Sequence, residues 1–193
     1  MGRRIETVSL GDFLEWEAAQ DQKHELSHGR IIVFSGESKD HNHIGGNVYI
    51  ALTAGLRPPC TAYGSDMIVE TIQRKADNGY RTDVVVSCSR EDEAGDGRFL
   101  KHPRIVVEVR SPRTNVGRDW EGKLLEYWST PSIEQVVIIE SESRALSSYC
   151  RDEHGTWQPP VTTIGNGTFR FSTVDVKMTL DEVYRRTTFD IER

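Results

Sequence analysis

Several things are scarce in this chain, and each scarcity narrows the reading. Cysteine occurs three times, at Cys60, Cys88 and Cys150. These lie far apart and form no close pair of the zinc-site type, so a reduced state in the cytoplasm is the expectation. No apolar run approaches the length of a membrane span. The opening residues Met-Gly-Arg-Arg-Ile-Glu-Thr carry base without an apolar segment behind it, so no secretory signal is expected. Positive charge is also short: 24 Lys and Arg stand against 30 Asp and Glu, a formal net charge of −6. That excludes a protein whose whole surface grips nucleic acid, though not a local basic patch. Repeats, low-complexity tracts and a convincing linker are missing too. With 193 residues, 36% of them hydrophobic, one domain over 1–193 with its core at about 9–186 is expected.

What is present centres on Arg104-Ile105-Val106-Val107-Glu108-Val109-Arg110-Ser111-Pro112. Its β-branched residues make a strand, which Ser-Pro ends. Glu108 sits inside the apolar run and shares a strand face with Val106 and Arg110. A carboxylate there is costly unless paired, hydrogen-bonded or bound to a cation. A second strand repeats the anomaly, because Thr82-Asp83-Val84-Val85-Val86 sets an acid at the mouth of another valine run. The two acids are expected to meet across neighbouring strands and hold a divalent metal.

The remaining pattern supplies a frame. Ser9 to Gln20 reads as a capped opening helix, and residues 23–34 as a hairpin turning at Ser27-His28-Gly29. Asp40 to Gly55 reads as a helix weakened by Gly45-Gly46. Strands are expected at 60–63, 67–72 and 80–86, with Ala76-Asp77-Asn78-Gly79 as the turn before the last. Residues 87–102 read as a polar loop. A helix over 116–129, with Leu124, Leu125, Tyr127 and Trp128 as its apolar contacts, separates strands 104–110 and 134–140, a βαβ unit whose strands should be parallel. Strands at 145–151 and within 157–171 follow. Thr179-Leu180-Asp181-Glu182 is a capping box that opens a last helix running to about Arg186.

Magnesium takes oxygen ligands, usually one or two carboxylates completed by water and phosphate. Asp83, Glu108 and the Val109 carbonyl would supply such a set, with manganese as an alternative ion. A cation beside them should orient the attacking water. Arginine stays protonated, whereas lysine beside a metal can release its proton. Lys123 is therefore favoured for the catalytic position and Arg110 for a charge-stabilising or structural one. Between residues 101 and 123, six Lys or Arg accompany three acids, a basic neighbourhood suited to phosphate. Arg110 and Arg113 are the candidate phosphate contacts. The bland alternatives are an exposed Glu108–Arg110 pair and an ordinary surface pair of Asp119 with Lys123. His24, His28, His41 and His43 have no metal spacing, and His43 is expected to pack or cap near the site.

The order Glu25-Leu26, Gly29-Arg30-Ile31, His43, Asp83, Glu108-Val109-Arg110-Ser111-Pro112-x-Thr114, Asp119, Lys123 and Tyr127 resembles the Uma-two family, restriction-endonuclease-like proteins of the PD-(D/E)xK nuclease fold. The resemblance runs from about residue 9 to 186. It implies a mixed β-sheet core flanked by helices (class α/β), a magnesium site, DNA as substrate and frequent homodimers. On it, Asp83 and Glu108 are the metal acids, Glu25 is an additional acid acting through water, and Lys123 replaces the motif lysine from the helix. The chain departs from the pattern at Thr82, which replaces a proline, at Arg110, which stands where the motif has lysine, and at Gln135-Val136, which replaces an aromatic pair. The expected function is a magnesium-dependent endonuclease or phosphodiesterase. The competing expectation is a catalytically silent nuclease-fold dimer that binds nucleic acid or protein.

Overall fold

The computed structural model describes residues 8–33, 38–65, 67–73, 76–94, 97, 99–111 and 120–190. The valine-rich segments pair as their composition demands. Strand β8, Pro103–Arg110, lies antiparallel to β6, Val84–Ser87, and parallel to β9, Gln135–Glu140. Its burial is nearly continuous, as expected of a strand covered on both faces. Beyond β9 come β10, Ala145–Cys150, and β11, Val161–Ile164; beyond β6 comes β3, Thr61–Gly64. The six strands run in the order β11-β10-β9-β8-β6-β3. A second, five-stranded sheet has the order β2-β1-β5-β4-β7, from Arg30–Val33, His24–Ser27, Ala76–Arg81, Ile68–Gln73 and Phe99–Leu100. A third, two-stranded sheet joins β12, Thr168–Phe171, to β13, Val176–Thr179.

Helices cover these layers. In α2, Lys39–Gly55, residues Ile44, Val48 and Leu52 are wholly buried against Val84, Val86, Ile105 and Val107 on one face of the larger sheet. On its other face, Tyr127 of α4, Trp120–Ser129, packs with Val85, Val106, Val136 and Ile138. The same cluster takes Val69 and Tyr80 from the smaller sheet, so α4 bridges the two. Helix α1, Leu10–Glu17, has Ser9 as its N-cap, and α5, Leu180–Val183, opens with the expected Thr179–Glu182 capping box. A short α3, Arg90–Ala94, lies in the stretch read as loop.

Several elements differ from their expected form. Residues 80–86 are not one strand. The chain leaves the smaller sheet at Arg81 and enters the larger one at Val84, so Thr82 and Asp83 span a seam between sheets. Asn78-Gly79, expected in a turn, lies within β5. A Cβ on Gly79 would meet Leu10 Cδ1 at 2.8 Å and Ile68 Cγ2 at 2.9 Å, so this glycine serves close packing. Helix α4 buries Lys123, Glu126 and Tyr127 rather than its leucines, and Leu125 is exposed. Cys60 and Cys88, expected reduced, form a disulfide. The cause is register: Thr61 pairs with Ser87, which sets the flanking residues opposite each other. Cys150 is free. Among the described residues, no helix is long and apolar enough to cross a membrane.

Candidate active site

The antiparallel register pairs Val84 with Val107, and its continuation sets Asp83 opposite Glu108. Directly opposed positions lie about 4.5–5.5 Å apart, so the two acidic strand positions are neighbours. Asp83, past the end of β6, turns its carboxylate onto the ladder: Oδ2 accepts the Val109 N–H at 2.6 Å. The same oxygen lies 3.4 Å from His41 Nε2 on α2. Glu108 is buried, and Tyr127 donates its hydroxyl to Oε1 at 2.6 Å.

Lys123 enters from α4. Its ammonium stands 2.9 Å from Glu108 Oε1 and 3.3 Å from Glu25 Oε1, and donates to the Arg81 carbonyl at 3.2 Å. The Tyr80 and Tyr127 rings flank it, with centroids at 5.3 and 5.9 Å. Glu25, buried on β1, also accepts the Arg81 N–H at 3.0 Å. Arg81 in turn bonds the His24 carbonyl through Nε and pairs with Glu17 at 2.7 Å. The structure thus gathers Glu25, Asp83, Glu108 and Lys123 where the two sheets and α4 meet.

Burial pushes the Glu108 carboxyl up to about 7; Lys123 opposes the shift and Asp83 adds to it. The unfolded chain would ionise this group near 4.5. Between those values the native state holds a proton that the unfolded state has lost, so stability falls as pH rises through the window. The full difference is roughly 3 kcal/mol. Urea unfolding of the metal-free protein should therefore show a lower midpoint at pH 7 than at pH 4.5, and Glu108→Gln should remove most of that fall. An unchanged slope in the variant would contradict the assignment.

Other residues are placed differently from their expected roles. His43 is exposed, and the histidine beside Asp83 is His41, two residues earlier on the buried face of α2. Arg110 forms a two-bond pair with Glu140 at 2.5 and 3.1 Å, which favours the structural one of its two expected roles. Arg113, Thr114 and Asp119 lie outside the described residues. Ser111 shares a hydrogen bond with Ser141. The sequence reading missed a second polar cluster around Glu126. Its Oε2 accepts from Thr71 at 2.7 Å and from Asn78 at 2.6 Å, and His28 Nε2 lies 3.1 Å from Oε1. It also missed the hydroxyl role of Tyr127; the i, i+3, i+4 spacing of 123, 126 and 127 was the available signal for one shared face.

Donor chemistry tests whether these residues suit a divalent cation. Glu25 and Glu108 meet on one lysine, and Asp83 lies opposite Glu108 in the register; burial first, and the Asp83 charge after it, raise the Glu108 carboxyl, and a bound cation would favour its ionised form. Among the described residues, no three acid, histidine or cysteine side chains form a ready-made metal cage. Magnesium does not require one, since water and phosphate commonly complete its shell. The residues fit.

The model of the Uma2 family, described as "Putative restriction endonuclease", matches residues 10–180. An uncharacterised protein from Synechocystis sp. is 29% identical over 151 residues, covering 78% of this chain and 77% of that one. A crystal structure from Anabaena variabilis, described as a "putative nuclease belonging to DUF820", superposes with a TM-score of 0.70 at 12% identity, over 92% of this chain and 97% of that one. At that identity the likeness carries the fold alone.

Proposed function

The chain belongs to the Uma2 family of restriction-endonuclease-like proteins, and from that premise we propose that it is a magnesium-dependent DNA endonuclease of the PD-(D/E)xK type. The observation that carries the reading is the Lys123 ammonium 2.9 Å from the buried Glu108 carboxylate, beside Asp83 across the strand register. Asp83, Glu108 and the Val109 carbonyl would hold the ion, with manganese as a substitute. When bound, such an ion polarises a phosphodiester and acidifies a neighbouring water.

The chain's own residues set the rest. Tyr127 fixes the orientation of Glu108 through its 2.6 Å hydrogen bond. Glu25 and the Arg81 carbonyl hold the Lys123 ammonium in place. From there Lys123 orients the nucleophile and neutralises charge developing on the phosphate. The Val109 N–H pins Asp83 by its Oδ2 oxygen. Arg113, on the segment after β8, is assigned to the phosphate, whereas Arg110 is held by Glu140. The homodimer implied by the resemblance is part of this proposal and is checked by sedimentation.

The test is manganese-dependent cleavage of DNA by purified protein. Asp83→Asn and Glu108→Gln should each abolish it, and in calorimetry each should lose manganese binding. Affinity in the wild type should rise with pH as Glu108 gives up its proton. Equal residual cutting by wild type and both variants would reject the assignment. One observation favours a second reading: Lys123 already neutralises both Glu25 and Glu108. A silent nuclease-fold module would then bind no manganese at millimolar concentration.

A further inference from the structure

Beside Asp83 lies a half-open cleft of about 310 Å³, within the size range of small-ligand pockets. One wall is a stripe of α2. Asn42, Gly45, Gly46 and Tyr49 are spaced i, i+3, i+4 and i+7, so they share a face two turns long. The glycines keep that face bare. A Cβ on Gly45 would sit 3.9 Å from Asp83 Cβ, and one on Gly46 would meet nothing within 4 Å. Tyr49 closes the stripe with an exposed ring. Ser65 supplies polar groups from the opposite wall, and Asp83 joins the cleft to the candidate active site.

The lining decides what fits. No lysine or arginine lines the cleft among the described residues, so it is unsuited to gripping a phosphate backbone. An aromatic ring, a bare glycine floor and the polar groups of Asn42 and Ser65, with His41 and Asp83 also in the lining, suit a flat, polar-edged molecule that carries no negative charge of its own at the ring. Bases of a single strand stack on aromatic side chains in this way, whatever their sequence. A base inside a duplex presents no free face to such a ring.

We propose that this cleft docks one unpaired nucleobase on Tyr49 over the Gly45-Gly46 floor, which makes single-stranded or flipped-out DNA the substrate class of the adjoining site. The inference rests on the nuclease reading for its chemistry, but binding tests it separately. Asn42 and Ser65 meet the edge of the base. The phosphate beside that base then falls next to Asp83, whose own negative charge requires the cation of the proposed function between them.

The probe is a fluorescent single-stranded oligonucleotide carrying one 5-iodouracil, followed by anisotropy in calcium and then photocrosslinked. Wild type should bind it more tightly than the matching duplex, and the crosslink should map to Tyr49. Tyr49→Ala should weaken binding about ten- to a hundredfold, the range expected for loss of one stacked base. Tyr49→Phe should stay within about threefold of wild type. Gly46→Leu places a Cβ where nothing lies within 4 Å, extends its side chain into the cleft and improves helix propensity. It should match wild type in melting temperature and lose binding as Tyr49→Ala does. Tyr49→Ala or Gly46→Leu binding like wild type, equal affinity for duplex, a crosslink confined to another residue, or no oligonucleotide binding would each overturn the proposal. Cleavage and manganese binding by a protein with that outcome would leave the Asp83–Glu108 centre standing. Loss of manganese binding with a Tyr49 crosslink intact would remove the centre and keep the cleft.

Discussion

Lys123→Met should lower manganese-dependent cleavage by about a hundredfold or more, the usual scale for removing a positioned proton-handling group. The same change should leave the protein folded at acid pH and markedly weaker at neutral pH. Its cause is the double contact of the ammonium, 2.9 Å from Glu108 and 3.3 Å from Glu25. Breaking a buried pair by removing one partner costs about 3–5 kcal/mol when the orphaned charge persists. Here Glu108 has an escape, because its carboxyl already sits high, at about 7, and without Lys123 it moves higher and takes a proton. The loss of stability should therefore be smaller near pH 5, where the Glu25 contact is forfeited but Glu108 is protonated, and approach the full range near pH 8. Urea unfolding at both pH values measures it. A uniform loss across pH would mean that Lys123 acts through packing on Tyr80 and Tyr127 instead. Lys123→Arg should not restore cleavage, since the guanidinium is planar and larger and keeps its proton.

Glu126→Leu should be the most destabilising substitution away from the site. Glu126 lies wholly inside, its carboxyl raised by burial, and it accepts from the Thr71 hydroxyl and the Asn78 amide, with the exposed His28 ring 3.1 Å from its other oxygen. Leucine matches its bulk but leaves the Thr71 and Asn78 donors buried without an acceptor, at about 1–3 kcal/mol for each of the two. A total near 4 kcal/mol corresponds to a melting temperature lower by roughly 10 °C for a chain of this size. Glu126→Gln keeps an acceptor oxygen and should lose less than half as much. Calorimetric melting of both variants decides the matter: equal losses would show that shape, not hydrogen bonding, sets the value of this residue.

The two acids were legible in the sequence because period-two alternation makes a carboxylate within a valine run conspicuous. Glu108 stood out in this way, and Asp83 stood out as an acid at the mouth of a second valine run. Lys123 was found through its chemistry, and its direction was hidden: the Leu124-Leu125 pair that follows it suggested that leucines, not the charged residues, faced the core. Two buried acids, Glu108 and Glu25, outweigh that apolar pull and draw the lysine inward. The break at Thr82-Asp83 left no local mark, since threonine favours strand and no glycine or proline interrupts the run. Asn78-Gly79 pointed to a turn on local chemistry. Tertiary packing overrode it, because Asn78 serves Glu126 and Gly79 lets Leu10 and Ile68 approach. The disulfide was invisible for a related reason, since the strand register that brings Cys60 to Cys88 is a property of the pairing and not of either segment. His43 was favoured over His41 from the order of residues, but the helix turns His41 inward toward Asp83.

The most direct test of the central claim is a crystal of the wild-type protein soaked in manganese and read at the manganese absorption edge. The account predicts one anomalous peak shared by the carboxylates of Asp83 and Glu108 and the carbonyl of Val109, absent from a Glu108→Gln crystal. A soaked crystal with no peak there, and with the Lys123 ammonium still seated on Glu108, would contradict it.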